Sequence, residues 1–415
     1  MSRRLLVLSR FTVLSRFTLR FHFRRVPKTV LSKAMVLALV VAGFTALGSV
    51  QALASHLSCG ATITTDTTLD SDLVNCPNNG IVIGADNITL NLNGHRIDGD
   101  GELTEDCAEI CDTGVVNDGH RRVTIQGGSV REFAVGVFVG GASSNRLLHL
   151  SASHNLFVGL LILESTATQV EQNSASDNGR TTNANGIVLF ASRNNRIDRN
   201  TVSRNGHQGI FIGESDHNRI VRNLVADNPV AGIAMEGGSN EVSRNRVRRN
   251  GDNIIVIGDG NTITRNHVAD AVGCPEDGGI ACGFGISLEG GSHNLVAGNQ
   301  VARARHADIR LDAFEGATRA NVFRANVVRA AGVDGIAINV EHVGPVLNTL
   351  LERNLAIGAG DDGIDVDSAA TTLTRNIAVH NGDLGIEAVP GVTDGGGNHA
   401  AGNGNPAQCT NIDCR

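Results

Sequence analysis

The acids in the last third of the chain recur at a spacing that suits acid–base or cation chemistry. Val333-Asp-Gly-Ile336 is followed by Asp361-Asp-Gly-Ile364 and then by Gly382-Asp-Leu-Gly385. Each sits at the start of a short Gly-Ile-x-apolar segment. If such a segment is a strand, the Ile and the apolar residue point inward, and the residue between them and the one after point out. One outward column then carries Arg310, Asp365 and Glu387, and a second carries Asp312, Asn339 and Asp367. Carboxylates stacked one repeat apart repel, so a proton or a cation such as Ca²⁺ must sit among them. Asp334, Asp362 and Asp365 are the candidate catalytic groups, one carboxyl kept protonated as acid and another ionised as base or nucleophile. Arg310, Asp312, Asn339, Asp367 and Glu387 are candidate substrate-binding residues. Asp361 and Asp362 are candidate Ca²⁺ ligands.

The elements that would position these groups are set by an internal repeat. A strand-opening glycine recurs at Gly136, Gly159, Gly186, Gly209, Gly232, Gly285, Gly335, Gly363 and Gly385, with Ile254 and Asp308 filling the skipped turns. A second column reads Asn173, Asn200, Asn223, Asn245, Asn266, Asn299, Asn326, Asn354 and Asn376, and a third reads Asn178, Asn205, Asn228, Asn250 and Asn381. Most steps are 22 or 23 residues. Short alternating apolar segments punctuated by Asn and Gly predict strands and turns, and that period predicts a solenoid. Asn tolerates a left-handed turn, and its amide can bond the Asn stacked above it, so a column at constant period implies coils in register. About fourteen coils spaced by ~4.8 Å would extend on the order of 65 Å.

The Gly-Ile-x-x unit with its Asn columns resembles the right-handed parallel β-helix repeat of pectin-lyase-like proteins, the group that includes the nitrous-oxide-reductase maturation protein NosD and the mannuronan C5-epimerases. The resemblance covers residues 55–415 and implies an all-β fold, a single-stranded right-handed parallel β-helix. An N-terminal cap and first coils would occupy residues 55–130, the repeats 131–390 and a C-terminal cap 391–415. Both ends resemble bacterial secreted members, through Cys59-Gly-Ala-Thr-Ile-Thr-Thr and through Gly396-Gly-Asn-His-Ala-Ala-Gly-Asn-Gly-Asn-Pro406. Asp334 and the Asp361-Asp362 pair resemble the catalytic aspartates of polygalacturonases. The next coil, however, has Gly382-Asp-Leu-Gly385 where that family places a His, and no lysine follows Lys33.

Composition bounds the partners. Met1 to Ala54 carries seven Arg, two Lys and no acid, whereas residues 55–415 carry 26 Arg against 42 acids, a formal charge of −16. That excludes nucleic acid bound through phosphate neutralisation and an anionic membrane surface. The opening stretch reads as a leader: an uncharged run from Ala34 closes on Ala52-Leu53-Ala54, which predicts cleavage after Ala54 and an exported, cell-surface or secreted protein with no membrane contact afterwards, the alternative being an uncleaved anchor, since the run is long enough to span a bilayer. All eight cysteines follow that site in close pairs, Cys59 with Cys76, Cys107 with Cys111, Cys274 with Cys282 and Cys409 with Cys414, as expected of disulfides in an exported chain.

The outward columns change character midway. The first begins Phe138, Leu161, Val188, Phe211, Ala234 and Val256, and the second begins Gly140, Leu163, Phe190, Gly213, Glu236 and Gly258. An apolar outer stripe through Phe138, Leu161, Phe190 and Phe211 calls for a cover, by a loop, a partner or another copy. Two function classes fit. One is a protein that binds or processes an extracellular polysaccharide along its acidic C-terminal coils, as a lyase, hydrolase or uronate epimerase if it is an enzyme. The other is a non-catalytic surface scaffold, a reading favoured by the absence of Trp, Tyr and mature-chain Lys.

Overall fold

The computed structural model describes residues 56–103, 112–179, 184–275, 282–313, 316–339 and 344–415. The expected leader, residues 1–54, and the expected Cys107–Cys111 pair lie outside the described residues. His56–Arg415 forms one compact unit. Its backbone is an all-β parallel solenoid. Each coil gives one strand to a 14-stranded parallel sheet that begins at Ala61–Ile63 and ends at Ile386–Ala388. The opposite wall is built from two shorter strands per coil, such as Arg219–Val221 and Leu224–Ala226, in parallel register with the next coil (Ile220 with Val242, Val225 with Val247). β-Branched residues dominate the inward positions, where they fit a pleated, buried surface. Ile210, Ile220, Val225 and Ile233 are fully buried in the single core that threads the coils.

The asparagine columns hold this stack in register. Asn200 donates both its backbone N–H (2.9 Å) and its amide N–H (3.0 Å) to Asn223 Oδ1, and Asn223 repeats the pattern on Asn245 (2.9 and 3.0 Å). Each amide also donates to a carbonyl one coil back, as Asn223 does to Ile197 (3.0 Å). The ladder runs from Asn173 to Asn398, one coil beyond the sequence expectation. A further ladder was not read from the sequence: Asn195, Asn218, Asn240, Asn261, Asn294 and Asn321 do the same work at the preceding corner. One premise is corrected. The left-handed residue is the one before each asparagine, Arg199 (φ 54°), Arg222 (57°), Arg244 (56°) and Arg265 (55°), and none of the ladder asparagines has positive φ. The arginine turns the chain, and the asparagine satisfies the corner that the turn exposes.

The glycine column exists because a Cβ there would strike the next coil's carbonyl and, where the third ladder runs, its amide as well. A Cβ on Gly209 would lie 2.6 Å from the Gly232 carbonyl and 2.8 Å from Asn228 Nδ2. Ile254 does not occupy this column. Asn253 does, with its amide oxygen accepting from Asn250 Nδ2 (2.9 Å), so the strand Asp252–Ile257 sits one residue earlier than the glycine spacing implied. Ile255 therefore replaces Val256 in the first outward column, opposite Ala234, and Ile257 replaces Gly258 in the second, opposite Glu236. Val256 is a core residue. Asp308 does fill the column, and its carboxylate accepts from Ala304 N (3.0 Å) and Arg329 N (2.9 Å) where the ladder amide is missing.

The outer apolar stripe is buried. Phe138, Leu161 and Phe211 are 4%, 8% and 8% exposed and form a second cluster with Val158, Val188 and Ile255. Phe190 packs at its margin. Both disulfides at the termini close as expected, Cys59–Cys76 and Cys409–Cys414, as does Cys274–Cys282 beside a loop. Three disulfides mark an extracytoplasmic protein.

Removing one ladder amide should cost far more than its size suggests. Asn223→Ala strands the buried N–H of Asn200 and the carbonyl of Ile197, and unpaired buried groups cost about 1–3 kcal/mol each. Urea unfolding should show a loss of roughly 3–5 kcal/mol, against less than about 0.5 kcal/mol for the surface change Thr372→Ala. Equal losses for the two variants would refute the ladder's role.

Candidate functional site

The acidic groups lie on consecutive outer strands, Ile309–Asp312, Ile336–Asn339, Ile364–Val366 and Ile386–Ala388. Parallel pairing aligns Arg310 with Ala337, Asp365 and Glu387, and it aligns Asp312 with Asn339. The outward alternation expected from sequence thus holds at this end. Asp334 and Asp362 occupy the position just before the glycine corner on successive coils. Each accepts a backbone N–H from the coil after it: Asp334 Oδ1 from Asp362 N (3.2 Å), and Asp362 Oδ1 from Leu384 N (2.7 Å). Carboxylate oxygens of Asp334, Asp361 and Asp362 lie within 4.8 Å of one another, with Asp361 exposed, Asp334 half-buried and Asp362 buried.

Burial and mutual repulsion keep protons in this cluster. Asp362 is pushed up to about 8, first by loss of solvent, then by a hydrogen bond with Glu387 and by the charges of Asp361 and Glu387. Asp365 is raised to about 7 by burial and by Asp367, Asp334, Glu387 and Asp361. Asp334 is raised to about 6 by burial and by Asp361, Glu387 and Asp367, against the pull of the Asp362 amide. Near neutral pH the site therefore holds protonated and ionised carboxyls side by side. Asp334, Asp361 and Asp362 also offer hard oxygen ligands suited to Ca²⁺, which takes six to eight oxygens, so water or a ligand's own oxygens would complete the shell.

Arg310 and Asp312 are placed differently from the acids. Arg310 is 4% exposed, Asp312 is fully buried, and the two form an ion pair. The guanidinium carbon lies 4.5 Å from the centroid of the Phe284 ring, which packs with Ala307 and Ala337. The His306 ring stands 5.5 Å from Phe284, its pKa lowered by burial and by Arg305 and Arg310. Arg310 Nε and Nη1 have no hydrogen-bond partner among the described residues. Phe284, His306 and Arg310 were not linked by sequence, because Phe284 precedes its corner glycine and His306 lies in a turn. The signal that could have linked them is position: Phe284, Ala307, Asp334 and Asp362 all stand one residue before the corner on successive coils. Three further carboxyls carry raised values away from this cluster, the first being Asp112, which rises to about 6 through burial and the charge of Asp100. Asp308 rises to about 7 through burial, and Glu236 rises to about 7 through burial and the neighbouring Glu214.

A family model described as the right-handed beta helix region matches residues 113–269 and 256–376. No curated protein sequence matches the chain. Among solved structures it is similar to a point mutant of the periplasmic alginate epimerase AlgG, at 13% identity over 83% of this chain and 77% of that one, with a TM-score of 0.51. It is also similar to the A-module of the mannuronan C-5 epimerase AlgE4 from Azotobacter vinelandii (13% identity, 86% and 80% covered, TM-score 0.36). A third is an alginate lyase from Paenibacillus sp. str. FPU-7 (13% identity, 66% and 91% covered, TM-score 0.39). At these identities the likeness is one of fold.

The raised values fix a sign for stability. Asp334, Asp365 and Asp362 bind protons more tightly folded than unfolded, so their contribution is full below 3.8 and is lost as pH rises through about 6, 7 and 8. The melting temperature should fall between about pH 5 and pH 8.5, Asp362→Asn should flatten the fall, and millimolar CaCl₂ should restore part of it. A melting temperature that does not fall over that window would contradict the cluster as described.

Proposed function

Because the chain belongs to the right-handed β-helix family, we propose that it is an exported protein that binds and processes an extracellular polysaccharide along the acidic outer face of its C-terminal coils. The observation that carries this reading is the close set of Asp334, Asp361 and Asp362 on adjacent coils, with Asp365 and Glu387 beside it. The three disulfides support export, and the reading includes a leader cleaved after Ala54. The shared fold of the alginate epimerase shows that such coils can serve polysaccharide chemistry, although fold alone assigns none.

Acid–base chemistry on a sugar needs one carboxyl that gives a proton and one group that takes it. In this reading Asp362, protonated near neutral pH, would be the donor to a leaving or ring-attached oxygen. Asp334 or Asp365, once ionised, takes a proton from water or from a sugar carbon. Asp367 and Glu387 lie on that outer face as groups that would orient the chain; Arg310 and Asp312, paired and buried beneath it, would support it from behind, and Asn339 aligns with Asp312 in the strand pairing. An acidic face repels a polyuronate unless protons or Ca²⁺ offset the charge, so Ca²⁺ bound at Asp361 and Asp362 would favour uronate substrates, and its absence neutral glycans.

The test is a panel of polyuronates and neutral glycans, scored for new reducing ends, unsaturated ends and altered sugar configuration. Activity should rise with pH as Asp334 ionises near 6 and fall as Asp362 loses its proton near 8. Asp362→Asn should lower the rate at least ~100-fold while leaving the fold intact. No turnover on any glycan of a broad panel, or an Asp362→Asn variant that keeps full activity, would overturn the assignment.

A further inference from the structure

Several corners of each coil carry a left-handed residue, and on the middle coils two of them, those of the second and third ladders, are rich in charge. They are organised in opposite ways. At the third-ladder corner the residues alternate in sign along the stack: Asp177, Arg204, Asp227, Arg249, Asp270, Arg303. The arginines close on the acid one coil back, Arg204 on Asp177, Arg249 on Asp227 and Arg303 on Asp270, each through two hydrogen bonds of 2.7 to 3.0 Å. That corner neutralises itself.

The neighbouring corner, one short strand away, does not. It places Arg199, Arg222, Arg244 and Arg265 on four consecutive coils, all exposed, then Gly298 and Ala325, then Arg353 and Arg375. Arg199 and Arg222 share the buried Asp198 with Arg196, and Arg353 shares Glu352 with Arg324. Arg244, Arg265 and Arg375 form no ion pair among the described residues. A left-handed corner gives no reason for arginine, since Gly or Asn adopts it at lower cost and Gly298 stands there in the same column. Its amphipathic neighbours give no reason either, because the register is already held by the asparagines.

Where the column loses its side chains, the surface opens into a notch. Thr264, Arg265, Ala297, Gly298, Arg324 and Ala325 line it. Cations thus stand on either side of a two-coil gap and continue along the stack beyond it. The coil repeat is ~4.8 Å, so the ridge offers a straight file of cations at that interval.

We propose that this arginine ridge binds a linear anionic polysaccharide bearing a carboxylate or sulfate on its sugars, laid along the coil stack with the notch seating one ring. The ridge lies on the wall opposite the 14-stranded sheet, so this is a second surface, separate from the acidic coils. A polysaccharide is favoured over single-stranded nucleic acid because the disulfides belong to an extracytoplasmic protein and the ridge has no aromatic ring on which bases could stack.

The experiment measures binding of purified full-length mature chain to size-defined oligouronates long enough to cross four coils, by titration calorimetry over a range of salt. Arg244→Ala/Arg265→Ala should weaken binding at least tenfold and lower the slope of log affinity against log salt by about two, one per lost contact. Arg204→Ala/Arg249→Ala removes the same charge from the self-neutralised corner and should change affinity less than twofold. Equal losses in the two double variants, absence of binding by a wild-type chain that melts normally, or equally tight binding of single-stranded DNA of the same charge would each overturn the proposal.

Discussion

Everything in this chain depends on how a buried corner keeps its backbone hydrogen-bonded. A coil must turn out of each strand, and each turn leaves an N–H and a carbonyl inside the stack with no strand partner. An unpaired buried amide costs as much as a lost hydrogen bond, repeated at every corner of every coil. The asparagine ladders meet that demand with one side chain type, because a single amide accepts from the coil before and donates onward. Its two ends match the two orphaned groups. The ladder then fixes the period, since a coil one residue longer between corners would take its asparagine out of the column.

The ladder also decides where variety is allowed. The glycine corner is kept empty for the next coil's carbonyl and for the amide of the third column where it runs, and at one coil that lacks the amide Asp308 takes over the hydrogen bonds. The left-handed residue before each asparagine points away from the core and carries no such duty. That is why Arg, Asp, His, Ser and Ala all appear there. The outward strand positions are likewise free, and the chain uses them for a buried apolar stripe at one end and a carboxyl cluster at the other. Register is held inside, and chemistry is sorted outside by column.

The fold was legible because its signal is periodic. Gly136 to Gly385 and Asn173 to Asn376 recur at a spacing that only stacked coils explain, and the inward and outward alternation placed Asp365 and Glu387 in one column correctly. Two errors came from treating spacing as geometry. Ile254 stood at the expected interval, but Asn253 could supply the corner's amide and so took the corner, shifting Val256 into the core. The ladder asparagines were credited with the left-handed turn, although the turn belongs to the residue before them. The ladder through Asn195, Asn218 and Asn240 was overlooked for a simpler reason: its residues sit beside Ser, Asn and His, where an extra Asn reads as ordinary turn composition. The burial of Arg310 and Asp312 could not be read at all, since alternation says which way a side chain points and not what stands over it.

The acidic cluster shows what a register held from inside makes available. Like charges on adjacent strands of a sheet normally push the strands apart or select another pairing. Here the pairing is already imposed by Asn326, Asn354 and Asn376 on the far wall, so Asp334, Asp362 and Asp365 are held in proximity whatever their charge. Neither their burial nor their repulsion can be relieved by moving the coils, so loss of solvent first and the neighbouring charges second raise their affinities for protons into the range of neutral pH. A scaffold with softer register would have separated the same residues and left three ordinary carboxylates. Acid and base character at this face is therefore a product of asparagines that never touch it.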